Sequence, residues 1–554
     1  MPLLAVLAVA LCVAVELIVW SVMGGFLATL VGTGRTVMGD VAILWPNSGF
    51  AHSEDLLERL EQDPEIEAAS ALIETFALLS LPDRRHETVI VRGVDAETFD
   101  AVTGFSGALW WRAIDRPPEK DTALEDWRYF NPAGLREALG RAGFSKGDAA
   151  RLAKTPAEAA RAVRARAGVG RAVLEEVERE VEAHARHAAF WGSMLEDGRR
   201  LAERDETSGE VRPAAVLGIE VSGFNIRKPG GWFVPGARRS QRADGREEWV
   251  QTFLPRDEVT MMVMPIDEQA RGLDVVARRF PVANEFRTGF YDADNRVVLV
   301  PLATLQTMLK MGASTRVRPL EDPFGVREEG GRARFVESDV VGPASSRVTN
   351  VIVKAREGVG EDRASERCRA IYAEFASAHE GRVPSAEAII IRTWREQNAT
   401  FIAAVEKEIA LVMVIFAVIS LTVVFLVLSI FWAMVNERTK DVGVLRALGA
   451  SRAGIAWLWL RYGLAIGTVG GVLGLVMAGL VVWNINPIHE WMGEALGISV
   501  WDPRVYHFAR IPAKLEPVRA AIIGVSGVAA SVLGAWWPAW RAARMHPVKA
   551  LRFD

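Results

Sequence analysis

Apolar residues are concentrated at the two ends of the chain, whereas the middle alternates short apolar runs with charged and polar residues. Four of the apolar stretches are long enough to cross about 30 Å of hydrocarbon, which takes roughly 20 helical residues. They cover residues 1–31, 408–436, 462–488 and 520–540. The pattern therefore predicts four transmembrane helices, with one large polar domain over residues 32–407 between the first and the second.

The distribution of Lys and Arg in the connecting segments predicts the orientation of the spans. Basic residues are frequent in segment 437–461 and in the tail 541–554, and cytoplasmic loops carry such an excess. Both termini are therefore expected in the cytoplasm, with residues 32–407 and the loop 489–519 on the outer side. The outer loop weakens this bias because it also carries basic residues, namely Arg504, Arg510, Lys514 and Arg519.

The first apolar stretch, which carries one charge, Glu16, could be a cleaved signal peptide instead of a transmembrane helix. The stretch exceeds the h-region of about 7–15 residues in a signal peptide and has no basic segment before it, so we favour a retained helix. A carboxylate within hydrocarbon costs several kcal/mol and often marks function. The alternatives to a functional role are hydrogen bonding to Ser420 or Thr422 and a shallow position in the membrane.

The middle segment mixes strand-like and helical patterns, which predicts an α/β fold. A strand-like run occurs at 37–44, and helical patterns occur at 302–311 and 361–379. Between about residues 110 and 210, Ala, Arg and Glu dominate, and apolar residues recur at helical steps from Leu174 to Leu195. We interpret this block as a helical insertion, either a bundle that packs on the domain or a docking arm for a partner.

The sequence offers no constellation that points to catalysis, so an enzyme acting on its own is not expected. It has no Walker A pattern that would bind ATP. His184 and His187 lie three residues apart, which is not the four-residue spacing of a helical metal site, and neither a metal nor another cofactor is expected. The net charge of −4 does not predict nucleic-acid binding. Cys12 and Cys368 lie in regions too different for us to expect a bridge.

The segment between the second and third spans has the pattern of a short amphipathic helix. Val442, Leu445 and Leu448 recur on one face, and Gly449 is placed to end the helix. Such a helix offers an apolar face to a cytoplasmic partner. Periodicity alone does not distinguish it from a simple surface helix in a loop.

Residues 436–451 (NERTKDVGVLRALGAS) closely resemble the coupling segment of the FtsX/MacB/LolC–LolE superfamily of ABC transporter permeases. Residues 21–26 (SVMGGF), residues 537–552 (WPAWRAARMHPVKALR) and the order of one span, a large outer domain and three further spans resemble the same superfamily. The resemblance is strongest to the lipoprotein-releasing LolC/LolE branch. It is carried there by residues 91–95 (VRGVD), 290–302 (FYDADNRVVLVPL), 393–398 (TWREQN) and 505–512 (VYHFARIP).

Two regions depart from the family pattern. One is the helical block at about 110–210, which leaves the cargo open. The other is the start of the chain, where the basic cytoplasmic segment usual in the family does not precede the first span.

The resemblance implies an outer domain of the MacB periplasmic-core type and a separate cytoplasmic ABC ATPase, acting as a dimer, that docks on the coupling segment. It further implies a place among the lipids of the cell inner membrane, pairing with a second permease copy or paralogue, and a lipoprotein or soluble outer carrier as a partner. The docking residues that it implies are Glu437, Arg438, Lys440, Asp441, Val442, Leu445, Arg446, Leu448 and Gly449.

Lipoprotein release from the membrane is the function that the resemblance implies first. The alternatives are FtsX-like mechanotransmission that activates a cell-wall hydrolase and MacB-like efflux or peptide export. In each, we expect a helix that begins near Thr393 and continues through the second span to transmit motion as a rigid rod. The glycines of the third span predict close helix packing, either within the chain or against a second permease.

Overall fold

The computed structural model describes residues 2–116, 126–205, 208–228, 232–241, 247–266, 272–317, 326–329, 332–335, 340–496 and 510–546. The chain divides into two compact units, which we describe separately. The membrane unit comprises Met1–Gly32 and Asn398–Asp554, and the α/β unit comprises Thr33–Gln397. Arg504 and parts of two segments that carry the family resemblance, 505–509 and 547–552, lie outside the described residues.

The described helices are α1 (Pro2–Met38), α2 (Ser53–Glu61), α3 (Ala96–Thr103), α4 (Ala133–Arg141), α5 (Lys146–Leu152), α6 (Pro156–Ala165), α7 (Arg171–Arg200), α8 (Tyr291–Arg296), α9 (Leu302–Met308), α10 (Glu361–Ala378), α11 (Trp394–Gln397), α12 (Ala399–Glu437), α13 (Thr439–Ala447), α14 (Arg452–Trp483), α15 (Ile485–Leu496) and α16 (Pro517–Arg544). The described strands are β1 (Val41–Leu44), β2 (Phe50–Ala51), β3 (Ile66–Ser80), β4 (His86–Val94), β5 (Ala202–Arg204), β6 (Val211–Pro213), β7 (Ala215–Gly218), β8 (Asn225–Arg227), β9 (Phe233–Gln241), β10 (Glu247–Thr252), β11 (Glu258–Val263), β12 (Val276–Phe286), β13 (Val297–Pro301), β14 (Ser314–Val317), β15 (Val326–Glu329), β16 (Arg332–Phe335), β17 (Val340–Ala344), β18 (Arg347–Val348), β19 (Asn350–Ala355) and β20 (Ile390–Thr393).

The centre of the α/β unit is a closed ring of strands. Their order is β3, β4, β13, β7, β12 and β11, and β11 pairs back onto β3 to close the ring. Alternate side chains point inward, such as Val89 and Val91 on β4 and Val298 and Val300 on β13, and they pack together in the interior. Closure leaves no unpaired strand edge around this ring.

Strand β3 also belongs to a second, antiparallel sheet. Its first part pairs with β19 and its second part with β4, with the change of partner near Leu72. The second sheet has the order β3-β19-β1-β20. Val41 and Ile43 on β1 pack with residues of α2 and α10, whereas Ala42 between them packs on the opposite face. Because both faces are covered, β1 is apolar throughout instead of alternating with polar residues.

The block predicted as a helical insertion contains α4, α5, α6 and α7. The three short helices pack on the first half of α7 around Leu135, Leu139 and Val177 and form a hydrophobic core of their own. The second half of α7 belongs to another cluster, in which Trp191 packs with Trp111 and with residues near β9. The ends of the predicted block at 110 and 210 are therefore not a clean boundary, because Trp111 and Trp191 contribute to the packing of the barrel region.

The four helices α1, α12, α14 and α16 are long and apolar enough to cross a membrane. Together with the large α/β unit they confirm the predicted fold class. Helix α14 begins at Arg452, earlier than the predicted span at 462, because Ser451 caps its N-terminus by accepting a hydrogen bond from the Gly454 N–H. The predicted loop over 437–461 is thereby shortened.

The glycines of α14 face other helices of the same unit. A Cβ on Gly470 or Gly474 would meet atoms of α1, and one on Gly463 or Gly467 would meet atoms of α16, each at 2.6–2.9 Å. Such closeness requires glycine and fits the packing of membrane helices through small residues. Of the two predicted uses of these glycines, packing within the chain accounts for these four.

The helix predicted from near Thr393 through the second span begins where it was predicted, but it is not continuous, because a turn at Asn398 interrupts it. Thr393 ends β20, α11 covers only Trp394–Gln397, and α12 begins at Ala399. Thr393 and Glu396 form a reciprocal capping box, in which each side chain accepts the backbone N–H of the other residue. This cap starts α11 at the predicted beginning of the rod, and the turn at Asn398 separates α11 from α12. The predicted strand at 37–44 also differs, since α1 continues to Met38 and β1 begins at Val41.

Candidate coupling site

The segment between the second and third spans forms the helix α13 and a tightly capped turn. At its C-terminus the Gly449 N–H donates to the Arg446 carbonyl at 3.2 Å, and the Ala450 N–H donates to the Leu445 carbonyl at 3.0 Å. These two bonds define a Schellman cap, and Gly449 takes the positive φ of 98° that this motif requires. Gly449 therefore ends the helix as predicted, and the turn is held by backbone hydrogen bonds.

One face of α13 is used for packing within the membrane unit. Thr439, Val442 and Gly443 are buried on this face, and Val442 packs in the core of the helical bundle with only 2% of its surface exposed. The Thr439 hydroxyl donates to the Val435 carbonyl at 3.0 Å, which ties α13 to the end of α12. Val442 is therefore not available to a partner, and the prediction that it shares an exposed apolar face with Leu445 and Leu448 is wrong.

The face of α13 that is exposed is rotated relative to the predicted one. Leu448 is 81% exposed, Val444 47% and Leu445 40%. Val444 and Leu448 are four residues apart and lie on one ridge, with Leu445 beside them. The sequence did not reveal this rotation because Val442 and Val444 are both apolar and only the fold decides which one is buried.

The charged residues predicted for docking are arranged around this ridge. Arg438 and Asp441 form a salt bridge at 3.2 Å, in which both side chains are mostly exposed. Glu437 and Lys440 are also exposed. Arg446 differs, because its side chain is half-buried and its Nη1 donates to the Ala450 carbonyl at 3.0 Å. Arg446 thus braces the turn after α13.

Glu16 lies on α1 and is half-buried in the membrane unit. The hydroxyls that were considered as its partners are engaged elsewhere. Ser420 Oγ lies 3.7 Å from Cys12 Sγ, and the Thr422 hydroxyl donates to the Val418 carbonyl at 2.9 Å. Among the described hydrogen bonds neither reaches Glu16. A packing role for this carboxylate, which we favour, a functional role and a shallow position in the membrane therefore all stay predictions.

At the other end of the bundle, the small residues of the 21–26 segment accommodate a loop. The Lys514 N–H donates to the Ser21 carbonyl at 3.0 Å, and the Ser21 hydroxyl donates to the Lys514 carbonyl at 2.8 Å. A Cβ on Gly25 would collide with the backbone at Pro512. The Arg519 guanidinium lies 4.8 Å from the Trp20 ring and is also paired with Glu516. Of the basic residues that weakened the charge bias, Arg519 is therefore paired through its side chain, whereas Lys514 is bonded through its backbone.

Sequence reasoning missed a buried polar cluster in the α/β unit. Asn284 and Glu285 are fully buried near the end of β12. Asn284 donates to the carbonyls of Trp111 and Met194 at 2.9 and 3.0 Å, and Glu285 accepts the Trp111 indole N–H at 2.6 Å. Glu285 also accepts from the Asn225 amide. This cluster anchors both ends of the helical insertion to the barrel.

Burial dominates the electrostatics of this cluster. It raises the pKa of Glu285 to about 7, although the hydrogen bonds from Trp111, Asn225 and Ser222 act in the opposite direction. A second buried carboxyl, Asp294, accepts from the backbone N–H groups of Thr288 and Gly289, and burial raises its pKa to about 6. The available sequence signal was the pair of polar residues within the apolar run of β12.

Comparisons with known proteins agree with this architecture. Residues 413–547 match the FtsX-like permease C-terminal family. The lipoprotein-releasing system transmembrane protein LolC of Xylella fastidiosa is 26% identical over 165 residues, which cover 30% of this chain and 40% of that protein. LolC of Neisseria meningitidis is 27% identical over 174 residues, covering 31% and 42%.

A further relative is the macrolide export ATP-binding/permease protein MacB of Syntrophobacter fumaroxidans, which is 26% identical over 128 residues, 23% of this chain and 15% of that protein. The chain spans about two fifths of the length of the LolC relatives that it matches.

Four apolar helices, a large α/β unit between the first and the second, and the match over the last three of these helices support the class of an ABC transporter permease of the inner membrane. Within this class the comparisons support the FtsX/MacB/LolC–LolE superfamily, with a lean towards LolC and LolE. The superfamily predicted from the sequence is therefore confirmed.

Proposed function

We propose that this chain is a permease subunit that transmits ATP hydrolysis by a separate cytoplasmic ATPase to its α/β unit, and that the resulting motion releases lipoproteins from the membrane. In this proposal both termini and residues 437–461 are cytoplasmic, whereas residues 32–407 and 489–519 are outside. The ATPase site lies in the separate subunit, and this chain acts with a second permease.

The observation that carries the proposal is the exposed apolar ridge of α13. Its helix is fixed at one end by the buried Thr439 and Val442 and at the other by the Schellman cap at Gly449. A force on Leu448 or Val444 is therefore delivered to a rigid element that packs directly on the bundle. An apolar ridge exposed in this way supports contact with a partner protein.

The size of the expected contact follows from side-chain burial. Covering one leucine removes apolar surface worth roughly 1.5–3 kcal/mol, which corresponds to about a ten- to hundredfold change in Kd. Leu448 is more exposed than Leu445, so we expect it to contribute more. Arg446 contributes through the turn that it braces, so its replacement is expected to affect the shape of the site.

The test is co-purification of the ATPase with single variants of the full chain. Leu448→Asp and Leu445→Asp should each lose the ATPase while the permease reaches the membrane at its normal level. Ala447→Asp is the matched control, because it adds the same charge at an exposed position of α13 outside the apolar ridge. Wild-type binding by both leucine variants would show that the ATPase docks elsewhere.

The proposed cargo is supported by the LolC and LolE relatives, whose names refer to lipoprotein release. The purified permease–ATPase complex, reconstituted into vesicles with a labelled lipoprotein, should transfer that lipoprotein to the soluble fraction when ATP and a soluble carrier are added. ATP turnover without transfer, under conditions in which the complex is intact, would contradict lipoprotein release and leave the alternatives of hydrolase activation and efflux.

A further inference from the structure

Helix α15 presents an apolar face that no described part of the chain covers. Trp491 is 61% exposed, Ile488 38% and Leu496 58%, and Trp483 just before the helix is 87% exposed. Pro487 and Ala495 are exposed on the same side as Trp491, since residues four apart share a helix face. We propose that α15 is an interfacial helix whose apolar face binds the phospholipids of the outer leaflet.

The depth of α15 follows from the length of α14. Arg461 is unfavourable in hydrocarbon, so the apolar part of α14 begins after it. The residues from Tyr462 to Trp483 number roughly 22, and at about 1.5 Å each they span about 33 Å. This matches the thickness of the hydrocarbon core, about 30 Å. Helix α15 begins at Ile485 and therefore lies at the level where lipid headgroups meet the acyl chains.

The opposite side of α15 is tied to the membrane unit. The Asn486 side chain accepts the Ile511 N–H at 2.9 Å and donates to the Ile511 carbonyl at 3.3 Å. The chain continues to Lys514, which is bonded to Ser21 on α1. Because Asn486 uses both its amide nitrogen and its oxygen, the rotation of α15 about its axis is fixed with the apolar face pointing away from the bundle.

Lipid is the occupant that the surroundings favour. The last turns of α14, next to α15 in the chain, carry exposed apolar residues that face hydrocarbon in any membrane-inserted state, with Val476 55% and Leu480 60% exposed. Trp483 and Trp491 are of the residue type that concentrates at membrane–water interfaces. An amphipathic helix at this depth buries its apolar face at the boundary between headgroups and acyl chains.

The test uses nitroxide labels on the full chain reconstituted in phospholipid vesicles, in a background in which Cys12 and Cys368 are replaced by alanine. Trp491→Cys and Ala495→Cys report on the apolar face. Gly493→Cys is the matched control. It lies two turns after Asn486 on the same side of α15, beyond the contact with Ile511, since among the described residues a new Cβ there would have no atom within 4 Å. We expect labels at 491 and 495 to be severalfold more accessible to oxygen than to a water-soluble nickel chelate, with the opposite order at 493.

Two results would overturn the proposal. Equal access of the nickel chelate to all three positions would place α15 in water, and protection of 491 and 495 from both reagents would indicate a protein partner on this face. The assignment of α15 to the outer leaflet depends on the proposed topology, so it is tested by a separate measurement. A membrane-impermeant maleimide should label Gly493→Cys in intact spheroplasts, and labelling only after lysis would refute the topology without affecting the lipid contact.

Discussion

The two units of this protein achieve close packing in different ways. The α/β unit buries large residues, such as Trp111 and Phe280, which are almost completely inaccessible to solvent. In the membrane unit, by contrast, helices approach through glycine and alanine, as where Gly474 of α14 meets Ala10 and Val13 of α1. The difference reflects the surrounding medium. In water, buried area itself stabilises, whereas in lipid the gain comes from the closeness of helix contacts.

The units also differ in how they satisfy buried polar groups. In the α/β unit, Glu285 and Asn284 are bonded to groups from distant parts of the sequence. In the membrane unit, the buried Ser531 hydroxyl donates to the Gly463 carbonyl at 3.0 Å. A hydroxyl on a helix carbonyl removes no backbone bond and brings no charge. The buried polar side chains described in the membrane unit, Ser21, Thr439 and Ser531, are thus neutral, whereas the α/β unit buries carboxyl groups that can titrate.

The largest expected effect on stability comes from the stacked Trp111 and Trp191 side chains of the α/β unit. Trp111 stacks on Trp191 with ring centroids 5.8 Å apart and donates its indole N–H to Glu285. Trp111→Ala should lower the free energy of unfolding by about 3–5 kcal/mol, the usual cost of removing a buried aromatic side chain. The control is Trp127→Ala, since Trp127 is 38% exposed. Urea-dependent proteolysis of the purified chain measures the stability of both variants. Equal losses of stability would show that the effect of Trp111→Ala does not come from the burial of this side chain.

The next effect tests the requirement for small residues in the membrane unit. A Cβ on Gly474 would lie 2.6 Å from the Ala10 carbonyl oxygen, whereas one on Gly479 of the same helix would have no atom within 4 Å. Gly474→Val should destabilise the bundle by about 1–3 kcal/mol or more through overpacking. Gly479→Val should change the stability of the bundle by less than about 0.5 kcal/mol. Thermal denaturation in detergent compares them, and similar melting temperatures would argue against close packing of α1 on α14.

The smallest effect concerns the titratable interior of the α/β unit. Burial raises the pKa of Glu285 to about 7 from an ordinary value of 4.5, so its neutral form is the one favoured by folding. The stabilisation is complete below pH 4.5 and is lost as the pH rises through 7. Glu285 should therefore lower the stability of this unit by about 2 kcal/mol between about pH 5.5 and 8, and Asp294, whose pKa burial raises to about 6, should add a smaller fall in the same direction.

Glu285→Gln should remove most of this pH dependence, because the amide oxygen still accepts the Trp111 N–H without becoming charged. The exposed Glu210 provides the control, and Glu210→Gln should leave the profile unchanged. The same proteolysis assay, repeated across pH, gives the result. An unchanged slope in Glu285→Gln would mean that another group titrates.

Local features of the sequence were sufficient to predict several elements. The four spans follow from apolar length alone, since roughly 20 residues are needed to cross the bilayer. Gly449 was correctly identified as the end of α13, because a Schellman cap needs a residue that tolerates positive φ. The capping pair Thr393 and Glu396 was present in the sequence as well and fits the predicted start of a helix there, although it gives no sign of the turn at Asn398.

Only the tertiary structure decided which side chains of these elements are exposed to a partner and which are buried. Val442, Val444, Leu445 and Leu448 are all apolar, so periodicity admits more than one exposed face, and packing against the bundle selects the face that buries Val442. In the same way, nothing local brings Glu285 to Trp111, which are 174 positions apart. The sequence by itself determined the lengths and ends of helices, because these depend on neighbouring residues. The exposed ridge of α13, the closed ring and the buried carboxylate depend on contacts between distant residues, which only folding establishes.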